Sequence, residues 1–259
     1  DAAVDGAVSQ LASWGLPGAG LGGMHAGGLG FDVAQLGYRS SASLDELEGV
    51  PILTAATKSL VSRWEHTPSE STAPLWEAEL TTDDDGLVVG TLTNQTGILL
   101  RDACLLHGKW GYMLGDVRPG DRVELGSQRT PNLTKTIVLR RARRGGSTRG
   151  IDPHRGGFLP DRASPDELLN VMMFYEAAGG HDLVGLPNRF QSYCDVSRLL
   201  DLDRAVLGGD GTNSGSRWVD PAANQSALDG EEQDTAHVVY RFVFPVDDGP
   251  QTTDHGQSP

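Results

Sequence analysis

Cysteine, basic charge and long apolar runs are what this chain has little of. Only two cysteines occur in 259 residues, Cys104 and Cys194, with no C-x-x-C pair. A structural zinc site needs converging ligands at set spacings, so none is expected. The two thiols read as buried side chains. An oxidising compartment would favour a bridge, which spacing alone does not decide. No stretch reaches the roughly eighteen consecutive apolar residues of a membrane-spanning helix. Lys and Arg number 21 against 35 Asp and Glu, a formal net charge of −14. A phosphate backbone calls for the opposite balance, so nucleic acid is not an expected partner. Also missing are G-x-S-x-G, H-E-x-x-H and a Walker A sequence, which removes the serine elbow, the zinc protease helix and the P-loop. The chain opens on Asp1 without a signal peptide. It is expected to be a processed chain or a piece of a longer one, with any anchor upstream.

Glycine, by contrast, is abundant, at 34 residues. Residues 15–30, "GLPGAGLGGMHAGGLG", include Gly18, Gly20 and Gly23 in a G-x-G-x-x-G pattern. A dinucleotide fingerprint needs a strand before it and a helix after it, whose first N–H groups hold the phosphate. Before it stands "VSQLASWGLP", weakly helical and stopped by Gly15 and Pro17; after it, more glycine prevents a helix. The segment reads as a pliable loop with a solvated His25, and no nucleotide is expected.

From about residue 51 the texture becomes short strands with turns between them: "KSLVSRW", "LWEAEL", "LVVGTLTN", "ILLRDACLL", "WGYML", "RVEL" and "KTIVLRR" (135–141). In "LWEAEL", Trp76, Ala78 and Leu80 share one face while Glu77 and Glu79 share the other. The Asp-Gly of "DDDG" (83–86) supplies the positive φ of a hairpin turn. This spacing predicts an antiparallel sandwich. Between 133 and 163, eight Lys/Arg stand against Asp152 and Asp161, so this stretch carries +6 and the rest of the chain −20. It reads as a basic, glycine-rich linker. Ser164-Pro165-Asp166-Glu167 then forms a capping box, followed by "ELLNVMMFYEAA", apolar nearly all round and stopped by Gly179-Gly180. A second helix is expected over 189–200, loops over "GGDGTNSGS" and the acidic 219–234, and a strand over 236–246. On that strand Val238, Tyr240, Phe242 and Phe244 share a face.

The expected architecture is mainly β with α (α+β): an antiparallel sandwich, a small helical element and a returning C-terminal strand. Residues 1–48 form a glycine-rich segment, 49–142 the sandwich, 143–163 the basic linker and 164–207 the helical element. Residues 208–235 are an acidic loop, 236–247 the last strand and 248–259 a tail.

Candidates for chemistry are few. "DDDG" and "DGTNSG" (210–215) carry oxygen ligands, but Pro221 falls where the second would need its bidentate Glu, so both read as turns. Glu77/Glu79 and Glu231/Glu232 are paired carboxylates, yet glycoside hydrolysis needs two that face each other across a cleft. Trp110 and Tyr112 alternate on one strand with His107 just before it; they read as core plugs, with sugar stacking the alternative. Asn94, Asn132 and Asn224 open glycosylation sequons, which matter only in a secretory pathway. The remaining candidate is a cluster of arginines, Arg140, Arg141, Arg143, Arg144, Arg149 and Arg155. Their planar forks suit phosphate or carboxylate, so the cluster reads either as a loop paired with the chain's own acids or as a docking loop for an anionic surface.

"VGTLTNQTGILLRDACLLHGKWGYMLGDVRPGDRVEL" (88–125 with its flanks) resembles extracytoplasmic domains of uncharacterised, membrane-anchored bacterial envelope proteins. The matching residues are Gly90, Asn94, Thr96, Leu106, Trp110, Tyr112, Leu114, Gly115, Pro119 and Gly120. "LEGVPILTAATKS" (47–59) and "MMFYEAAGG" (172–180) resemble them too. The resemblance implies an immunoglobulin-like sandwich facing the periplasm or exterior, tethered by a membrane segment outside this chain. It carries over no catalytic residue, cofactor or metal. The expected function is a non-enzymatic interaction or spacer module whose partner is an envelope protein or an anionic surface. The rivals are a carboxylate-dependent hydrolase and a polyanion- or carbohydrate-binding module.

Overall fold

A computed structural model describes residues 8–14, 39–40, 42, 47–48, 59–65, 73–126, 129–142, 165–184, 194–211, 219–220, 225–226 and 238–247. The glycine-rich 15–30 segment, His25, the basic 143–163 linker, Ser164, Glu231/Glu232 and the tail from 248 lie outside the described residues.

Among the described residues the fold is mostly antiparallel β with a few short helices, in three layers. The first is a three-stranded sheet of β5 (Trp76–Thr82), β6 (Val88–Asn94) and β9 (Arg122–Leu125). Asp83 makes the β5–β6 turn: its carboxylate accepts the amides of Asp85 and Leu87 at 3.0 and 2.8 Å. That use of the oxygens fits a turn rather than a cation loop. Next to it, Gly90 (φ +130°) lies so close to β5 that a Cβ would stand 1.9 Å from the Glu79 carbonyl oxygen. Only glycine fits there.

The second layer is a five-stranded sheet in the order β10 (Asn132–Leu133), β8 (Trp110–Val117), β7 (Leu100–His107), β11 (Arg204–Gly211) and β14 (Val238–Pro245). Trp76, Leu80, Val88 and Leu92 of the small sheet pack against Leu100, Ala103, Leu105, Tyr112, Leu207 and Phe244 of the large one. The third layer comprises α1 (Thr134–Ala142), α2 (Pro165–Met172) and a 3-10 turn, Ser197–Asp201. It covers the other face of the large sheet, where Cys104, Leu106 and Val206 meet Ile137, Val138, Leu168, Met172 and Phe174. A bulge in β7 sets this division. The register shifts between Leu100 and Ala103, and Asp102 takes φ +48°. Three residues apart, Leu100 and Ala103 would otherwise face opposite ways; the extra residue puts both in the inter-sheet core.

Four expectations are corrected here. Residues 135–141 are helix, not strand. Thr134, Ile137, Val138, Arg141 and Ala142 are buried, and these spacings make one helical face; Arg141, a charge on that face, hid the period. Residues 208–211 are strand, not loop. Gly209 admits the Leu100 side chain at 3.0 Å from its would-be Cβ, and a Cβ on Gly211 would stand 2.3 Å from the Tyr240 ring. The glycines permit close packing here rather than turning the chain. The helix after Pro165 ends at Met172, and residues 173–179 continue as turns. Ser197 Oγ takes the Ala177 amide at 3.0 Å and Asp195 takes the Glu176 amide at 3.2 Å, while the Met173 carbonyl accepts Val196 N–H. Those are the groups the next helical turn would have used. Lastly, residues 8–14, read as weakly helical, form β1 (Val8–Trp14), paired antiparallel with β4 (Ser59–Glu65). Two shorter antiparallel pairs are β2 (Arg39–Ser40) with β3 (Leu47–Glu48), and β12 (Val219–Asp220) with β13 (Gln225–Ser226), the latter within the stretch read as an acidic loop.

The C-terminal strand returns as expected. β14 pairs with β11 along Arg204–Gly211. The chain then crosses to the small sheet, where Asp247 exchanges backbone hydrogen bonds with Thr82 and Leu80 at 3.1 and 3.0 Å.

Candidate functional site

The arginine cluster divides. Arg140 is exposed on α1, and Arg141 is buried on the same helix. Arg143, Arg144, Arg149 and Arg155 lie outside the described residues. Helical geometry alone turns neighbours about 100° apart, so one of the pair faces water and the other the sheet.

Arg141 is the centre of a polar cluster between the large sheet and the helices. Its guanidinium donates to the Asp102 carbonyl at the bulge, to Asn170 Oδ1 on α2 (3.4 Å) and to Asp210 Oδ1 on β11 (2.8 Å). Cys104 Sγ lies 3.9 Å away. The Arg141 side chain is 5% exposed and that of Asp210 43%. Burial pushes the Cys104 thiol above its ordinary range, and the nearby Arg141 charge only partly offsets this. Cys104 is therefore held as a protonated thiol, unsuited to nucleophilic work. Neither Cys104 nor Cys194 is in a disulfide. The cluster ties a helix to two irregular strands: β11 also shifts register, between Gly208 and Asp210.

This cluster was missed in the sequence. Its signal was three charges inside otherwise apolar stretches: Asp102 in "LLRDACLL", Asp210 in "AVLGGDG" and Arg141 within the apolar stripe of α1.

Glu77 and Glu79 sit on the outer face of the small sheet, as expected. With Thr91, Thr93 and Arg122 they line an open groove of about 310 Å³. The cross-strand rows are Glu77–Thr93–Arg122 and Glu79–Thr91–Glu124. The two carboxylates project in parallel from one strand.

The aromatic candidates separate. Tyr112 is core, and its hydroxyl accepts the Val88 amide at 2.9 Å. Trp110 is only half-buried, at the open end of β8, with Lys109 Nζ 5.3 Å from its ring centre. It does not plug the core. His107 is half-buried beside it; burial lowers its pKa, and the Asp203 charge opposes the shift.

The sequon Asn94–Thr96 is a turn. Asn94 Oδ1 accepts the Thr96 hydroxyl at 2.6 Å and the Thr96 amide at 2.9 Å, and Asn94 Nδ2 donates to the Ile98 carbonyl at 3.0 Å. Both side chains are buried. Gly115 and Gly120 take φ +77° and +82°. The residues that carry the envelope-domain resemblance are thus used by the fold itself.

Among the described residues, no group of three His, Cys, Asp or Glu is arranged to hold a metal ion, and no helix is long and apolar enough to cross a membrane.

A family model described as a domain of unknown function (DUF8725) matches residues 76–178. The match opens on the first residue of β5 and closes after α2. It takes in the small sheet, β7, β8, β10 and α1, with Arg141, Asp102, Cys104 and Asn170. It stops short of β11 and β14, and so of Asp210. No curated protein and no solved structure matches the chain.

Proposed function

We propose that the chain is a non-enzymatic interaction or spacer module of a bacterial envelope protein, working outside the cytoplasm and tethered by a membrane segment of a longer parent. The observation that carries this reading is the use of the converging polar groups. The Arg141 guanidinium donates across the layers to the Asp102 carbonyl, Asn170 Oδ1 and Asp210 Oδ1. Asn94 and Thr96 likewise close their own turn. Charge and hydrogen-bonding capacity go into fixing a rigid scaffold. Two antiparallel sheets closing on one apolar core also favour the immunoglobulin-like reading of that scaffold. The helical layer over the large sheet is an addition to it.

The second reading is a hydrolase or carbohydrate-binding face at the Glu77/Glu79 groove, favoured by its concavity and its carboxylates. Two tests separate them. External protease added to cells from which the outer layers have been stripped should degrade the chain in its parent protein; complete protection overturns the extracytoplasmic reading. Incubation with cell-wall glycan fragments should release no reducing ends. Release that disappears in Glu77→Gln or Glu79→Gln establishes the hydrolase instead.

A further inference from the structure

On one side of the molecule the two sheets end in strands that are open along most of their length. The large sheet ends in β10, which is two residues long and pairs with Trp110 and Gly111 of β8. Beyond Gly111, no described strand lies against that edge of β8. The small sheet ends in β9. The direction of the main-chain groups follows from the bonds already made. The Lys109 carbonyl accepts the Thr134 amide at 2.9 Å on the β10 side, so alternation turns the N–H and C=O of Gly111 and Met113 the same way, away from β7. On β9, the Asp121 carbonyl accepts the Asn94 amide from β6 at 3.0 Å. Val123 therefore faces β6 as well, and the main-chain groups of Glu124 point outward.

These two outward carbonyls end on one side chain. Arg129 donates from Nε to the Glu124 carbonyl at 3.1 Å and from Nη1 to the Met113 carbonyl at 3.0 Å. Its own amide bonds to the Gly126 carbonyl at 3.0 Å, in the turn that leaves β9. The edges differ in what else protects them. β9 is four residues long and exposes Arg122 and Glu124, charges that resist strand pairing. Residues 110–114 of β8 read "WGYML", with no charge and no proline. β10 covers the first two of them, and Gly115 leaves extended geometry at φ +77° just after the last. Between those two features lies an apolar edge, Tyr112–Leu114, on which alternation turns only the Met113 carbonyl outward, and Arg129 occupies it.

We propose that Arg129 guards this edge against strand addition by a second copy of the chain. A second copy is the matching occupant because an antiparallel edge is complementary to itself. Two β8 strands related by a two-fold axis exchange N–H and C=O at Met113 and set uncharged side chains side by side. With Arg129 in place the carbonyl is taken, and the guanidinium of each copy repels that of the other. The inference stands apart from the envelope and spacer reading, since it concerns the chain in solution.

The test is sedimentation velocity of the full chain over a range of protein concentration, with amide exchange read at Met113. R129M should associate at concentrations roughly tenfold or more below any at which the native chain does, because each symmetric pair gains two main-chain hydrogen bonds. Exchange of the Met113 amide should slow as R129M associates and stay fast in the native chain. R129K keeps a charge at the edge but lacks the fork that bonds two carbonyls, so it should fall between the two. R140M, which loses an exposed cation from α1, should behave as the native chain does. An R129M protein as dispersed as the native chain overturns the proposal. So does association in which the Met113 amide still exchanges fast, which places the contact elsewhere. If R129M loses its cooperative urea transition, R129K decides the matter, and dispersal equal to that of the native chain overturns the proposal there.

Discussion

Arg141 and Arg140 are adjacent in sequence and opposite in consequence. Replacing Arg141 by methionine removes the donor to Asp102, Asn170 and Asp210. Breaking such a pair from the buried side is expected to cost about 2–3 kcal/mol, less than for a fully buried pair because water reaches the half-exposed Asp210 carboxylate. Arg140→Ser should stay within about 0.5 kcal/mol of the native chain. Urea melts of the two variants check this, and coincident curves would mean that Arg141 carries no structural load. His107 gives a pH-dependent counterpart. Its folded pKa is depressed, chiefly by burial. The unfolded chain therefore binds that proton first as pH falls. The contribution of His107 is complete above its unfolded pKa of about 6.5 and is lost as pH drops through the folded value. His107→Gln should lose less stability than the native chain between neutral pH and pH 5. A parallel decline in both proteins would show that the imidazole is fully solvated.

At the scale of elements, Asp195 and Ser197 decide where α2 stops. Asp195 also accepts the Ser197 amide and hydroxyl at 2.9 and 2.6 Å, so the two residues act as one plug in the missing helical turn. The double variant Asp195→Ala/Ser197→Ala leaves the 176 and 177 amides without these acceptors. It should cost about 1–3 kcal/mol in a thermal melt, with a small gain in helical circular dichroism as residues 173–179 revert to their local preference. No gain in helicity would show that the turns are intrinsic to "MFYEAAG". The same contest explains what could be read beforehand. The β5–β6 hairpin, its inward Trp76 and Leu80 and its outward glutamates were legible, because period-two alternation and an Asp-Gly turn are local signals. The course of β14 was legible for the same reason. The helix at Thr134 was not, since Ile137-Val138-Leu139 suits a buried strand and the helical face became visible only once Arg141 counted as buried. Nor was β11, where Gly208, Gly209 and Gly211 read as a turn until Leu100 and the Tyr240 ring filled the space above them. The polar cluster needed contacts between positions 102, 141, 170 and 210, which no local window contains.

For the whole molecule, the extent of the matched stretch and the extent of the fold differ. Residues 76–178 contain the small sheet but only three strands of the large one. Cut out alone, that piece would expose the β7 edge that β11 covers and lose Ala205, Leu207 and Phe244 from the inter-sheet core. We expect it to show no cooperative urea transition, whereas the full chain does; a sharp transition with native-like circular dichroism would make the matched stretch an autonomous domain.

The crossing of Asp247 from one sheet to the other has a consequence for synthesis. Translation delivers β7 about one hundred residues ahead of β11, with β14 later still. While the ribosome is working, the β7–β8 hairpin presents a bare edge and an uncovered apolar face. The molecule closes only when β14 and Asp247 arrive. Nascent chains of this protein should therefore draw on holding chaperones until β14 has emerged, and premature stop codons before residue 238 should yield aggregates rather than shortened, soluble domains.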